Sequence, residues 1–176
     1  TKFYFKDIFF ILYMIIFCFL TYNDIIPYKY WNNFFKNIDN NKYQVWIHSK
    51  YDIHSDKYNF NVNTINNKIK TIDKCDISIV RATIRLFQES YNNTNGTHFI
   101  FCSQNCIPLY DFYFYENLTK KLDKSIVSSI NDSSKQRYHQ LHKKIQEYIT
   151  YDEFVKQQPN MILVRKDIEL IINNDL

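Results

Sequence analysis

Two thiols lie four positions apart in the segment FIFCSQNCIPLYDF, which covers residues 99–112. Cys102 ends an apolar run, a polar stretch follows at residues 103–105, and Cys106 comes two positions before Pro108. Thiols at this spacing could bind a metal, form a redox pair or supply a nucleophile. Each alternative predicts a different class of protein, so the surrounding residues must decide between them.

A metal or redox role for this pair has little support in the sequence. Zinc usually has four protein ligands in a structural site, and His98 is the nearest additional candidate. The three residues between the thiols also differ from the C-x-x-C spacing of thioredoxin-like motifs. We therefore expect Cys102 and Cys106 to be packed, reduced thiols, and we expect no bound metal.

Other catalytic motifs are incomplete. The segment HQLH, with His139 and His142, lacks the spacing and the glutamate of a zinc-protease helix. Gly96 is the single glycine of the chain, so no glycine-rich phosphate loop can be built. Ser103 follows a predicted strand but lacks the flanking glycines of a hydrolase nucleophile elbow. A bound phosphate would therefore have to be held by side chains.

Composition indicates one folded domain without a nucleic-acid surface. The chain has 176 residues, of which 45% are hydrophobic and 18% aromatic, enough to bury a substantial core. The net charge of +4 comes from scattered lysines rather than a dense basic block. We expect no nucleic-acid partner.

The N-terminal apolar run leaves two interpretations open. Residues 8–20, IFFILYMIIFCFL, are fewer than the roughly 20 residues that a membrane-spanning helix needs. Residues 15–21 are β-branched and aromatic, which predicts a buried strand. Met14 could be the natural start of a domain covering residues 14–176, with residues 1–13 an upstream extension or the stub of an anchor. A cytoplasmic location would follow if Met14 is the start.

Behind these candidates, strand and helix patterns alternate along the chain. Predicted strands cover residues 15–21, 43–48, 98–102, 125–130 and 161–164, with a short edge strand near 69–72. A first predicted helix begins at Pro27 and carries Tyr30, Trp31, Phe34 and Phe35. Further helices are predicted at about residues 78–89, where Asp76 is the cap, at about 112–122 and at about 165–173. Gly96 is expected to supply a permissive backbone dihedral after the second helix. This alternation predicts an α/β fold with a mostly parallel sheet covered on both faces. Ligands of such sheets bind at the carboxyl ends of strands, here residues 21–24, 48–52 and 102–105.

Taken in order, the apolar and polar segments resemble the core-2/I-branching β-1,6-N-acetylglucosaminyltransferase family, especially its plant-like branch. The resembling segments are FCFLTYNDIIPYKYWNNFF, YQVWIHSK, DISIVRATIRLF, FIFCSQNCIPLYDF, SIVSSIND with RY, and residues 154–175. The most specific is SQNCIPLYDF, which is similar to the family signature SESCIPL-NF. The resemblance runs from about residue 15 to the end of the chain.

This resemblance implies a glycosyltransferase A-type fold, which is a Rossmann-like α/β domain that binds a nucleotide-sugar donor. It further implies that N-acetylglucosamine is transferred from a donor such as UDP-N-acetylglucosamine to a glycan hydroxyl. Such transfer in the family inverts the anomeric carbon and needs no metal. The expected partners are therefore a nucleotide sugar and a glycan, and the expected location is a Golgi-type membrane with a single-pass type II anchor.

Site residues follow from the resemblance position by position. On the donor side it implies Leu20, Thr21, Tyr22, His48, Asp52, Asp76 and Ser78. On the acceptor side it implies Ser103, Gln104, Asn105, Ser128 and Arg137. Lys50 stands where the family has an aspartate that contacts the nucleoside, and Asp52 is the candidate substitute. Ser128 stands where the family has an acceptor-binding carboxylate.

The catalytic base has no counterpart among these residues. In the family it is a glutamate of a P-D-E segment that follows the helix corresponding to residues 165–173, and inverting transfer needs such a base. We therefore expect a fragment with donor-side fold and little catalytic competence. The competing interpretation is a non-catalytic module of the same fold that binds a glycan or a protein.

Overall fold

The computed structural model describes residues 13–72, 76–130, 136–139, 143–154 and 156–173. Its strands are β1 (Ile15–Thr21), β2 (Tyr43–Ser49), β3 (Val62–Thr64), β4 (His98–Ser103), β5 (Ile126–Ile130) and β6 (Lys156–Val164). Its helices are α1 (Tyr28–Phe34), α2 (Ile77–Asn92), α3 (Phe112–Lys121), α4 (Gln136–His139), α5 (Lys143–Gln146) and α6 (Arg165–Asn173), with a short 3₁₀ helix at Ser55–Lys57.

The strands form one sheet in the order β3-β2-β1-β4-β6-β5. β1 pairs in parallel with β2 and β4, and β2 pairs in parallel with β3. β6 runs antiparallel between β4 and β5, so five of the six strands point the same way. The prediction of a mostly parallel α/β sheet is confirmed, and the carboxyl ends of β1, β2 and β4 meet at one edge.

Alternation along β1 separates the core into two layers, one on each face of the sheet. Ile15, Phe17 and Phe19 lie on the face that α1 and α3 cover, whereas Ile16 and Cys18 lie on the opposite face. The first layer includes Trp31, Phe34, Phe35 and Phe112, and the second includes Leu86, Phe87 and Ile168. Successive strand residues point to opposite faces, so a continuous apolar run is what a doubly covered strand requires.

Phe17 is the centre of the aromatic packing beneath α1. Its ring meets those of Trp31, Phe34 and Phe35 edge-on, with centroids 5.8, 5.6 and 5.1 Å away. Edge-to-face geometry is favourable for aromatic rings. Pro27 precedes the first helical residue as predicted, but Tyr30 stays 64% exposed and does not join the core.

Several predicted boundaries shift in the structure. The edge strand is β3 at Val62–Thr64, so the prediction of a strand at residues 69–72 is wrong. Residues 69–72 are instead held by side chains, because Ile69 N donates to His48 Nε2 and Ile72 N donates to Ser78 Oγ. α2 extends beyond residue 89 to Asn92, and β6 begins at Lys156 rather than near residue 161. α6 has the predicted bounds.

Gly96 is required by packing rather than by a left-handed dihedral. It does not have a positive φ, so that prediction is wrong. A Cβ at this position would lie 2.2 Å from Ile16 Cγ1 and 2.6 Å from Ile16 Cδ1. The turn between α2 and β4 therefore approaches the buried Ile16 too closely for a side chain.

The structure bears on the N-terminal alternatives only in part. No helix among the described residues has the length and hydrophobicity needed to cross a membrane. Residues 1–12, which contain most of the proposed anchor stub, lie outside the described residues, as do Cys75 and His142.

Candidate functional site

The carboxyl ends of β1 and β2 continue their contact beyond the last strand residues. Lys50 N donates to Thr21 O at 3.1 Å, and Tyr51 N donates to Tyr22 O at 2.9 Å. Thr21 itself is buried, and its Oγ1 donates to Asn23 O at 2.6 Å. The predicted donor residues Thr21 and Tyr22 therefore stand next to the end of β2, as the parallel register requires.

An exposed aromatic pair with a cation lies at this edge. The rings of Tyr22 and Tyr51 are 53% and 51% exposed, with centroids 4.9 Å apart and hydroxyl oxygens 3.4 Å apart. Lys50 Nζ lies 5.3 Å from the Tyr22 ring centroid and 5.8 Å from that of Tyr51. The hydrogen bond to Tyr51 raises the pKa of Tyr22, so the Tyr22 phenol stays neutral at ordinary pH. Aromatic faces can stack on a base and the ammonium can bind a phosphate.

The sequence prediction did not include Tyr51. Its position could have indicated it, because Tyr51 follows Lys50 just beyond the end of a predicted strand, where ligands of parallel sheets bind.

Gln104 ties the end of β4 to the same edge. Its Oε1 accepts from Tyr22 N at 2.9 Å, and its carbonyl accepts from Ile26 N at 3.0 Å. The side chain predicted for the acceptor side thus fixes the loop in which Tyr22 begins. Asn105 beside it is exposed.

Asp24 connects the loop after β1 to residues 54–57. Its carboxylate is buried and accepts from His54 N at 2.7 Å, from His54 Nδ1 at 2.9 Å and from Lys57 Nζ. Burial opposes ionisation of Asp24, but the hydrogen bonds from Lys57 and His54 outweigh it and lower its pKa. Tyr58 Oη accepts from Ile25 N at 2.9 Å. The sequence prediction missed this cluster, because its members are some 30 positions apart.

His48, a predicted donor-side residue, is fully buried. Its Nε2 accepts from Ile69 N at 2.9 Å, which leaves the proton on Nδ1. Burial lowers the pKa of His48, so the ring is neutral. Nδ1 and the neighbouring Ser49 Oγ are buried without a hydrogen-bond partner among the described residues.

The other predicted donor residues are dispersed along the site. Leu20 is half-buried against the α2 side of the core. The Asp52 side chain is fully exposed, with Lys68 Nζ 3.7 Å away. Asp76 caps α2 by accepting from Ser78 N at 2.7 Å, and Ser78 is buried. The structure therefore gives Asp76 and Ser78 local roles at the start of α2. Ser78 is linked to Lys50 through Ile72, whose N donates to Ser78 Oγ and whose O accepts from Lys50 Nζ at 3.4 Å.

One acceptor-side prediction, Ser128, lines a cavity beyond β4. This cavity has a volume of about 270 Å³, and Cys106 and the exposed Ser128 are among its lining residues. Ser103 approaches Cys106, with its N and Oγ each 3.3 Å from the sulfur. Arg137 is in α4, and its side chain lies outside the described structure. Within the described part of the chain, no three His, Cys, Asp or Glu side chains are grouped as metal ligands would be.

Comparison with known proteins agrees with the family resemblance of the sequence. A family model described as Core-2/I-Branching enzyme matches residues 15–176. A curated relative, "Glycosyltransferase BC10" of Oryza sativa subsp. japonica, is 22% identical over 150 residues. The match covers 82% of this chain but 37% of the relative, so this chain spans little more than a third of that protein's length. The family model covers nearly the whole chain, and the chain therefore belongs to the core-2/I-branching enzyme family.

Proposed function

We propose that this chain forms the nucleotide-sugar-binding part of a glycosyltransferase. The proposed donor is UDP-N-acetylglucosamine, and the proposed reaction is inverting transfer of its sugar to a glycan hydroxyl. Family membership and a relative named as a glycosyltransferase support this class of activity. The observation that carries the proposal is the convergence of Tyr22, Tyr51 and Lys50 at the carboxyl edge of the parallel strands.

The proposed roles at this edge follow from the chemistry of its side chains. The exposed ring of Tyr22 or Tyr51 stacks on the uracil base. Such stacking requires only that the base is planar. Lys50 neutralises charge on the diphosphate, and a fixed ammonium can supply that charge in metal-independent transfer. Transfer also needs a base that removes the proton of the attacking hydroxyl, and we assign no glutamate of this chain to that role.

Nucleotide binding by the 176-residue chain tests the proposal. Thermal unfolding is measured with UDP, ADP, GDP and CMP, each with and without a chelator. We expect UDP to raise the melting temperature most, with or without chelator, because a ligand at about 100 times its Kd adds about 2.7 kcal/mol of stability. If the chelator abolished the UDP-dependent rise in melting temperature, the proposal that binding needs no metal would be contradicted, but the proposal of UDP binding would not.

Two variants and a matched control locate the binding. Tyr22→Ala and Lys50→Ala should each reduce the UDP-dependent shift, since they remove a stacking ring and a cation. Tyr30→Ala removes a similarly exposed tyrosine from α1 and should leave the shift unchanged. Equal effects of all three variants would contradict the placement of the nucleotide.

A non-catalytic binding module is the second candidate, and Lys50 is the observation that favours it. A lysine at the position of the family's nucleoside-contacting aspartate would suit a chain no longer selected for donor binding. Indifference to every nucleotide, together with binding of an oligosaccharide, would favour the module. Stabilisation by UDP alone would favour the transferase.

The proposed location is the Golgi-type membrane that the family resemblance implies. Imaging a tagged full-length protein against a Golgi marker tests it. A diffuse cytoplasmic signal would contradict it.

A further inference from the structure

The cavity beyond β4 is mainly apolar. It is formed between β4, β6 and the segment that precedes α3, and its apolar lining includes Phe17, Ile100, Pro108, Leu109, Ile126 and Ile162. Its volume of about 270 Å³ exceeds that of the roughly 150 Å³ protein cavities known to bind benzene. A phenyl ring with a short chain therefore fits.

Cys106 is the accessible thiol on the wall of this cavity. It is half-buried, whereas Cys102, which also lines the cavity, and Cys18 are buried. Both thiols pack against the core as expected, but Cys102 is buried whereas Cys106 stays partly exposed. A nucleophile must be reached by its electrophile, and of the three described cysteines Cys106 is the one so placed.

Hydrogen-bond donors surround the Cys106 sulfur. Ser103 N and Ser103 Oγ each lie 3.3 Å from it, and the Cys102 thiol is within hydrogen-bond distance. Asn160 Oδ1, 3.5 Å away, accepts from the Cys106 thiol while that thiol is protonated. Several donors converging on one sulfur stabilise negative charge there.

The protonation of the pair follows from this arrangement. Hydrogen bonds from Cys102 and then from Ser103 outweigh burial and lower the pKa of Cys106 to about 6. The hydrogen bond to Cys106 and burial raise the pKa of Cys102 well above its usual range, so Cys102 keeps its proton. Tyr115 is the other titratable group on the described cavity wall, and burial raises its pKa as well. Cys106 is thus the group that is charged near neutral pH.

We propose that Cys106 is a covalent modification site for small apolar α,β-unsaturated carbonyl compounds, whose apolar part occupies the cavity. The thiolate sulfur attacks the β-carbon and forms the carbon–sulfur bond. The π electron pair of the double bond moves onto the carbonyl oxygen as an enolate, and the α-carbon then takes a proton from water. This addition needs neither an oxidant nor a leaving group, and it suits a soft nucleophile at the entrance of an apolar space.

Competing electrophiles test the proposal on the 176-residue chain. Acrylamide and N-phenylacrylamide share the reactive group, but the second carries a ring that can enter the cavity. Rates at each cysteine are measured by peptide mapping and divided by the rates with free glutathione. We expect Cys106 to prefer the phenyl compound by about tenfold. No preference would overturn the proposal, as would equal labelling of Cys18 and Cys106.

Variants separate the thiol from the cavity. Cys106→Ser should abolish the fast labelling, and persistent fast labelling would overturn the assignment. Ile126→Trp fills the cavity from an exposed strand position, so it should remove the phenyl preference while acrylamide labelling continues. Val127→Trp, at a similarly exposed neighbour that does not line the cavity, should retain the preference. Equal effects of the two tryptophans would overturn the role of the cavity.

Discussion

Asp24 is a buried carboxylate whose ionisation is maintained by its neighbours. Its three donors come from the His54 backbone, the His54 ring and Lys57. An ionised group in such a position stabilises the fold only while it stays ionised. Because Asp24 links the loop after β1 to residues 54–57, its loss should loosen the support of the edge formed by the carboxyl ends of β1 and β2.

Replacing Asp24 with Asn should destabilise the protein by about 1 to 3 kcal/mol near neutral pH, since charged hydrogen bonds are lost. The pKa of Asp24 is lowered below its ordinary value of 3.8, so its contribution is present above that pH. It is lost as the pH falls through the lower folded-state value. Urea unfolding should therefore show a wild-type advantage that shrinks in strong acid.

The exposed Asp56 in the same segment provides the control. Asp56→Asn should leave the free energy of unfolding within about 0.5 kcal/mol of wild type. A wild-type advantage over Asp24→Asn that does not change with pH would contradict the electrostatic explanation.

The reactivity of Cys106 should follow its own titration. Only the thiolate attacks, so the alkylation rate should be half-maximal near pH 6 and fall as the pH decreases below it. Cys18, whose pKa burial raises to about 12, should stay unreactive over the same range. Iodoacetamide labelling across a pH series measures both. A midpoint near that of free cysteine would contradict the hydrogen-bond arrangement.

At the scale of elements, the turn between α2 and β4 is tightly packed against its neighbours. Arg165 closes it from the start of α6, donating to Tyr91 O, Thr94 O and Gly96 O at 3.0 to 3.2 Å. Its guanidinium also lies 3.9 Å from the Tyr91 ring centroid. One carbonyl of the last turn of α2, Tyr91 O, and two carbonyls of the turn beyond it thereby receive donors that the helix itself cannot supply.

Gly96→Ala should cost about 1 to 3 kcal/mol in urea unfolding, because its Cβ would overlap the buried Ile16. Ile16→Ala removes both of the Ile16 atoms that the new Cβ would overlap. The double variant should therefore lose about 1 kcal/mol less stability than the two single variants lose in sum. Asn95→Ala, at the exposed neighbouring position, is the control. Strict additivity would show that the overlap is relieved elsewhere.

The start of α3 depends on one side chain. Asp111 Oδ1 accepts from Phe114 N at 2.8 Å and so caps the helix that carries Phe112 into the core. Asp111→Ala should destabilise by about 1 kcal/mol in urea unfolding, whereas Asp111→Asn, which retains a capping oxygen, should be nearly neutral. Equal losses for both variants would indicate a role for charge rather than capping.

At the scale of the whole molecule, the hydrophobic pattern of the sequence predicted the architecture better than it predicted the side-chain contacts. β1 and α6 were predicted with their observed bounds because both are strongly patterned. β3 was missed because Val62–Thr64 is short, has two polar residues of three and is paired on one side only. Its identity as a strand depends on pairing with β2, which no local pattern specifies.

For the candidate site, too, the strand topology was predictable from the sequence and the side-chain contacts were not. Parallel topology indicates which strand ends meet, and it correctly brought Thr21 and Tyr22 to the end of β2. The contacts of Asp24 with His54 and of Ser103 with Cys106 depend on how loops fold back, and spacing alone does not determine them. Burial of His48 is likewise a tertiary effect.

The position of β6 between β4 and β5 has a consequence for biosynthesis. β1 to β4 can pair in the order in which they leave the ribosome, since each contacts strands already made. β5 is synthesised next, and among the described residues its one strand partner is β6. It must therefore wait, with Ile126 and Val127 uncovered, until residues 156–164 have emerged. During that interval the unpaired β5 and the β6-facing edge of β4 are open to chaperones and to misassociation.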